Sequence, residues 1–88
     1  MELYKVEFLP SVIKKDFKKI NKSDALKIML KIKLLEENPR PVWSKKLSAR
    51  EEYRNREGNY RISYVIEDTV KVLKIVKIGH RKDIYLQK

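Results

Sequence analysis

Residues Tyr53 to Tyr85 read YRNREGNYRISYVIEDTVKVLKIVKIGHRKDIY. Gly58-Asn59 separates two alternating runs, which is a two-residue hairpin signal with Gly first, the type II′ arrangement. Such a turn sets Glu57 opposite Tyr60, Arg56 opposite Arg61, Asn55 opposite Ile62 and Arg54 opposite Ser63. Side chains alternate across a strand, so Arg54, Arg56 and Arg61 share one face. Four of the six arginines of the chain fall within this stretch. Like charges placed opposite each other weaken a sheet. A chain that keeps such a cluster has an anion to put there, and the planar arginine fork suits phosphate.

The elements on either side follow from this hairpin. The second strand is expected at about Glu51 to Glu57, the third at Tyr60 to Glu67, and the fourth at Val70 to Gly79, with Asp68-Thr69 as the turn between the last two. Tyr60, Ile62, Tyr64 and Ile66 give the third strand its core face, so Arg61, Ser63 and Val65 look the other way. VKVLKIVKIG is apolar on both faces, as expected of a central strand. Gly79 to Tyr85 reads as a short C-terminal tail. Upstream, Glu2 to Phe8 alternates and reads as a first strand closed by Pro10. Ser11 is expected to cap a helix running to about Asn21, with Ile13, Phe17 and Ile20 along one stripe. Ser23 is expected to cap a second helix that ends at Asn38-Pro39, because the residue before a proline disfavours the helical region.

That second helix carries two apolar rows: Ala25, Ile28, Met29, Ile32 and Leu35 in one, Leu26, Leu30 and Leu34 in the other. A stripe this wide fits a helix covered on two sides by the sheet and the first helix. The competing reading is a groove kept for a partner helix or strand. Val42 to Ser48 reads as a connection with Trp43 tucked beneath it. The element order is then β-α-α-β-β-β, an α+β fold with two N-terminal helices on one face of a small antiparallel sheet.

Eighty-eight residues make one small domain, 1–88, with a modest core. There is no cysteine and a single histidine, too few ligands for a structural zinc. No run approaches the roughly 18 apolar residues of a membrane span, and no signal peptide is evident, so a soluble, cytoplasmic protein with no membrane partner is expected. The net charge is +10. A heat-adapted surface adds Lys and Glu together and so accounts for many charges but not for the imbalance. A polyanionic partner accounts for the imbalance, with nucleic acid first and an acidic protein second.

The chain resembles the RelE toxins of the RelE/ParE superfamily, the toxin halves of toxin–antitoxin pairs. The resemblance rests on a Lys-Leu step at Lys46-Leu47, a Y-R-x-R-x-G-x-Y-R hairpin from Tyr53 to Arg61, and a G-H-R-x-x-x-Y ending from Gly79 to Tyr85. It covers nearly the whole chain, and the hairpin and ending are specific only together. It implies a RelE-like, microbial-RNase-like fold and an mRNA endonuclease acting in the ribosomal A site, silenced by an acidic RelB-like antitoxin. Carried over residue by residue, it implies an active site of Arg54, Arg56, Arg61, Arg81 and Tyr85. Some members carry lysines at the hairpin positions; here both are arginines.

Cleavage of RNA by its own 2′-OH needs a base for that hydroxyl, charge stabilisation at phosphorus and a proton for the leaving 5′ oxygen. Arg54, Arg56, Arg61 and Arg81 suit the second task and not the first. Tyr85 and His80 are the candidates for proton transfer, His80 having the only side chain that normally titrates near neutrality. Tyr85 can equally stack on a base. Lys45, Lys46, Arg50, Lys74, Lys77 and Lys82 are candidate contacts to RNA or the ribosome, with solvated charge as the plainer reading of Lys74 and Lys77. Glu57 and Asp83 read as neutralising partners of the arginines. A metal is not expected beside such a basic face without clustered carboxylates, and no other cofactor is implied. The rival functions are a ParE-like gyrase inhibitor on the same scaffold, a non-catalytic RNA-binding module and a decayed toxin.

Overall fold

The structure, a computed structural model, describes residues 3–47 and 52–80. It is α+β, as expected. Five strands form one sheet in the order β1-β5-β4-β3-β2, with β1 Lys5–Phe8, β2 Lys45–Lys46, β3 Glu52–Glu57, β4 Tyr60–Glu67 and β5 Val72–His80. The sheet is mixed rather than wholly antiparallel, because β1 runs parallel to β5. The two-residue β2 lies in the segment expected to be a bare connection, and it adds an edge to β3.

The hairpin has the expected register, residue for residue, from Glu57 opposite Tyr60 to Arg54 opposite Ser63. Gly58 takes φ +61 and Asn59 does not go positive, which matches a turn with glycine first. The β4–β5 connection is longer than the expected Asp68-Thr69 pair. It runs to Lys71, which sits in the left-handed region at φ 56, and β5 begins at Val72. Gly79 and His80 belong to β5 rather than to a tail.

Strand β5 resolves its two-sided apolar pattern with a bulge. Ser63 faces Lys77 but Tyr64 faces Ile75, leaving Val76 as the extra residue. The slip matters because a shift of one residue exchanges the two faces. With it, Leu73, Ile75 and Ile78 all reach the core, and Lys77 is spared burial.

Helix α1, Lys22–Glu37, packs on the core face through Ile28, Ile32 and Leu35, each at most 2% exposed, against Ile62, Tyr64, Ile66, Leu73, Ile75 and Ile78. Its cap is Asn21, whose side chain accepts from the Asp24 N–H at 2.8 Å, rather than Ser23. The two apolar rows of this helix allow either cover on both sides or an open groove. The structure buries Ile28, Ile32 and Leu35 of the first row but leaves Met29 exposed, and it leaves Leu26, Leu30 and Leu34 of the second more than half exposed. The first helix is irregular, a π-helical turn Val12–Asp16 running into a 3-10 turn Phe17–Lys19, and Ser11 makes no side-chain cap. Its buried residues are Val12 and Asp16, while Ile13 faces out. Asp16 explains the irregularity. The carboxylate reaches β5 beyond the end of β1, accepting from the Ile78 N–H at 2.9 Å and from Lys77 Nζ at 3.3 Å. It thereby satisfies a strand edge that β1 is too short to pair.

Arg40 ties three distant segments together. Its guanidinium donates twice to Asp68, at 3.1 and 2.8 Å, and its Nε donates to the Tyr53 hydroxyl at 3.0 Å. The Tyr4 hydroxyl also donates to Asp68, at 2.6 Å. Hydrogen bonds from Arg40 and Tyr4 hold the Asp68 carboxyl at about 2, below its ordinary 3.8. Deeper in, Asn55 Nδ2 donates to the Tyr64 hydroxyl, which donates to the Pro39 carbonyl. Burial pushes the Tyr64 phenol up. No helix of the described residues is long and apolar enough to cross a membrane.

Candidate nucleic-acid interface

The face of the sheet opposite α1 carries Arg54 and Arg56 from β3 and Arg61 from β4. Arg54 is paired with Ser63, and Arg61 with both Arg56 and Gly79. The short side chains of Ser63 and Gly79 leave the guanidinium stems room beside them. Lys45 lies opposite Arg54 on β2 and so joins the same face. Trp43, Lys45, Arg54, Asn55, Arg56 and Arg61 border a groove of about 460 Å³. A larger apolar hollow of about 660 Å³, between Phe17 and the start of α1, contains none of these arginines.

The electrostatics of the groove are one-sided. Among the described residues neither Arg54 nor Arg56 has a carboxylate partner, and Arg54 Nε is buried there without a hydrogen-bond acceptor. A buried donor with no acceptor costs about 1–3 kcal/mol. An anionic oxygen arriving in the groove would remove part of that cost and offset the mutual repulsion of the cations. Glu57 does not neutralise the arginines as expected. It points to the helix side and meets Lys31 Nζ at 3.8 Å.

The other candidate residues divide between the two faces. His80 does not join the arginines. Its place in β5 opposite Tyr60 gives it the parity of Ile78, and its ring meets Tyr60 edge-on at 5.3 Å on the core side. Lys46 is paired with Tyr53 and turns away from Lys45. Lys74 and Lys77 lie on the arginine side but are engaged with Glu67 at 3.5 Å and with Asp16 at 3.3 Å, rather than being plain solvated charges. Arg50, Arg81, Lys82, Asp83 and Tyr85 lie outside the described residues. Trp43 is not tucked under its loop. It is 43% exposed and stands beside the groove, a position that sequence reasoning missed. It lies in the turn that leads into β2, and that turn brings it to the edge of the sheet beside β3.

Comparisons agree with this geometry. Residues 6–85 match the family model of the ParE toxin of type II toxin–antitoxin systems. The fold is similar to the crystal structure of an archaeal RelE–RelB complex from Pyrococcus horikoshii, at 26% identity and TM-score 0.76, over 90% of this chain and 96% of that one. It is similar to the RelB–RelE complex of Methanococcus jannaschii, at 26% identity and TM-score 0.71, over 89% and 93%. It is also similar to the isolated Escherichia coli RelE toxin, at 20% identity and TM-score 0.78, over 96% and 93%. No curated protein matches in sequence. A match to the family model over nearly the entire chain, on a sheet whose open face is basic, makes this chain a type II toxin–antitoxin toxin of the RelE/ParE superfamily.

Proposed function

We propose that the toxin is a ribosome-dependent endonuclease that cuts mRNA in the A site and so stops translation in the cytoplasm. The observation that carries the proposal is the groove bordered by Arg54, Arg56 and Arg61, with no carboxylate among its described lining residues. In the proposed reaction the ribose 2′-OH adjacent to the scissile phosphate loses its proton and attacks phosphorus. The P–O5′ bond breaks, leaving a 2′,3′-cyclic phosphate on one product and a 5′-OH on the other once the leaving oxygen gains a proton. Arg54, Arg56 and Arg61, joined by Arg81 on the family pattern, stabilise the charge that builds on the phosphorane. With His80 turned to the other face, Tyr85 is the remaining proton-transfer candidate and is equally suited to stacking on a base. Strong electrostatics, with no histidine–carboxylate pair beside the arginines among the described residues, would account for a need for the ribosome. Alignment of the attacking hydroxyl by an outside template can contribute roughly 7–11 kcal/mol.

The proposed partner in the resting state is an acidic, partly disordered antitoxin that folds on binding. A net charge of +10 and the uncovered row Leu26, Leu30 and Leu34 suit an amphipathic acidic segment. RelE–RelB complexes among the structural neighbours support this reading.

The second reading is ParE-like inhibition of DNA gyrase, favoured by the family model itself. Parallel assays of in vitro translation and gyrase supercoiling separate the two. Translation arrest with intact supercoiling is expected; loss of supercoiling with undisturbed translation would replace the nuclease reading with the gyrase one.

A further inference from the structure

We propose that Trp43 is a stacking platform for the nucleobase next to the phosphate held by Arg54, Arg56 and Arg61. This inference rests on the RNA reading above and deepens it. Trp43 is the only tryptophan of the chain. It lies in the turn two residues before Lys45, whose cross-strand partner is Arg54, and so stands at the edge of the sheet next to the arginines. There it borders the groove while staying 43% exposed.

The indole is also held in place. Ser44 donates to the Pro41 carbonyl through its N–H at 3.0 Å and through Oγ at 2.8 Å, which fixes the turn. Lys31 Nζ sits 4.1 Å from the ring centroid and is itself steadied by Glu57. A cation on one side of the ring fixes its plane and leaves the other side for a second flat group. A large indole kept out of the core, positioned by a lysine and set beside Arg54 and Arg56, which have no carboxylate partner among the described residues, has the parts of a single-strand site: cations for the backbone and an aromatic face for a base. Every base has a π-face, so the contact adds affinity and orientation without selecting sequence. It would hold the nucleotide beside the scissile bond while the arginines hold the phosphate.

The lone tryptophan makes this directly measurable. The probes are a 2′-O-methyl RNA trinucleotide, which lacks the attacking hydroxyl, and an abasic oligomer of equal charge, both titrated into the full chain at low salt. The trinucleotide is expected to quench tryptophan fluorescence saturably, and the abasic oligomer to bind by calorimetry without quenching. Trp43→Ala should weaken the trinucleotide about 5- to 150-fold, the range that stacking of one base implies. It should leave the abasic oligomer unchanged, while Trp43→Phe keeps most of the affinity. Arg56→Ala should weaken both probes. If Arg56→Ala weakens binding and Trp43→Ala does not, the platform is wrong and the anion groove stands. Equal quenching by the abasic oligomer also overturns the platform. If neither substitution weakens either probe, or the wild type binds neither, the platform and the RNA reading fall together.

Discussion

A face assembled to bind an anion should be costly when empty, and Arg56→Gln measures that cost. Arg56 lies directly opposite Arg61, with Arg54 two residues along the same strand and face. Opposed Cβ atoms are about 4.5–5.5 Å apart, and like charges so placed destabilise the sheet, on the scale of roughly 0.2–1 kcal/mol that governs cross-strand pairs. Arg56 is exposed, so its replacement forfeits little packing. Glutamine keeps length and polarity and removes one cation from the cluster. The net expectation is a gain of about 0.5–1 kcal/mol in the free toxin at low ionic strength. For a domain of this size each kcal/mol moves Tm by about 4–8 °C, so the midpoint should rise by about 2–8 °C. The gain is electrostatic and should shrink in 1 M salt, where the Debye length is about 3 Å. Sulfate or phosphate should narrow it at matched ionic strength by stabilising the wild type more than the variant. The assay is thermal unfolding followed by circular dichroism, paired with a growth test in which the more stable variant is the less toxic. An unchanged or lower midpoint at low salt would refute the reasoning, because it would mean that the three guanidinium groups do not strain one another.

Other consequences follow from named contacts. Ile32→Ala removes a side chain 2% exposed and should cost about 2–5 kcal/mol in urea unfolding. Leu30→Ala, on the open row, should stay within about 0.5 kcal/mol while weakening antitoxin capture. Asp16→Ala strips the Ile78 N–H of its acceptor and should cost about 1–3 kcal/mol by the same measurement. The folded protein holds the Asp68 carboxyl at about 2 against an ordinary 3.8, so the unfolded chain takes up the proton first. That contribution is complete above about pH 4 and is lost as pH falls through 2. Asp68→Asn should flatten this part of an acid-unfolding profile, and an unaltered profile would show that the Arg40–Asp68 pair adds nothing.

The readable parts of the sequence were those governed by neighbours in the chain. The hairpin register came through complete because a glycine-first turn and strict alternation fix it locally. The core face of β4 came through for the same reason, with Ile62, Tyr64 and Ile66 all buried. What stayed hidden depends on distant partners. The β5 bulge arises because Leu73, Ile75 and Ile78 must all reach one core, a demand that no single strand period expresses. The π-helical turn at Val12–Asp16 follows from a carboxylate satisfying a strand edge more than sixty positions away. Two lysines make β2, with no apolar alternation to announce it. In the candidate site, Arg54, Arg56 and Arg61 were legible from parity alone. His80 was misplaced because residues assigned to a tail have no parity. Trp43 has no periodic signal because it sits in the turn before β2, whose pairing with β3 brings it beside the groove.

On the proposed function, the arginine face holds the scissile phosphate of translated mRNA. Primer extension on an mRNA under translation, with wild type beside Arg61→Ala and ribosome co-sedimentation measured for both, tests it most directly. Discrete cuts within A-site codons are expected for the wild type, none for the variant, and near-equal co-sedimentation for both. Equal cutting by both proteins, or an uncut message where the wild type has stopped growth, would contradict it.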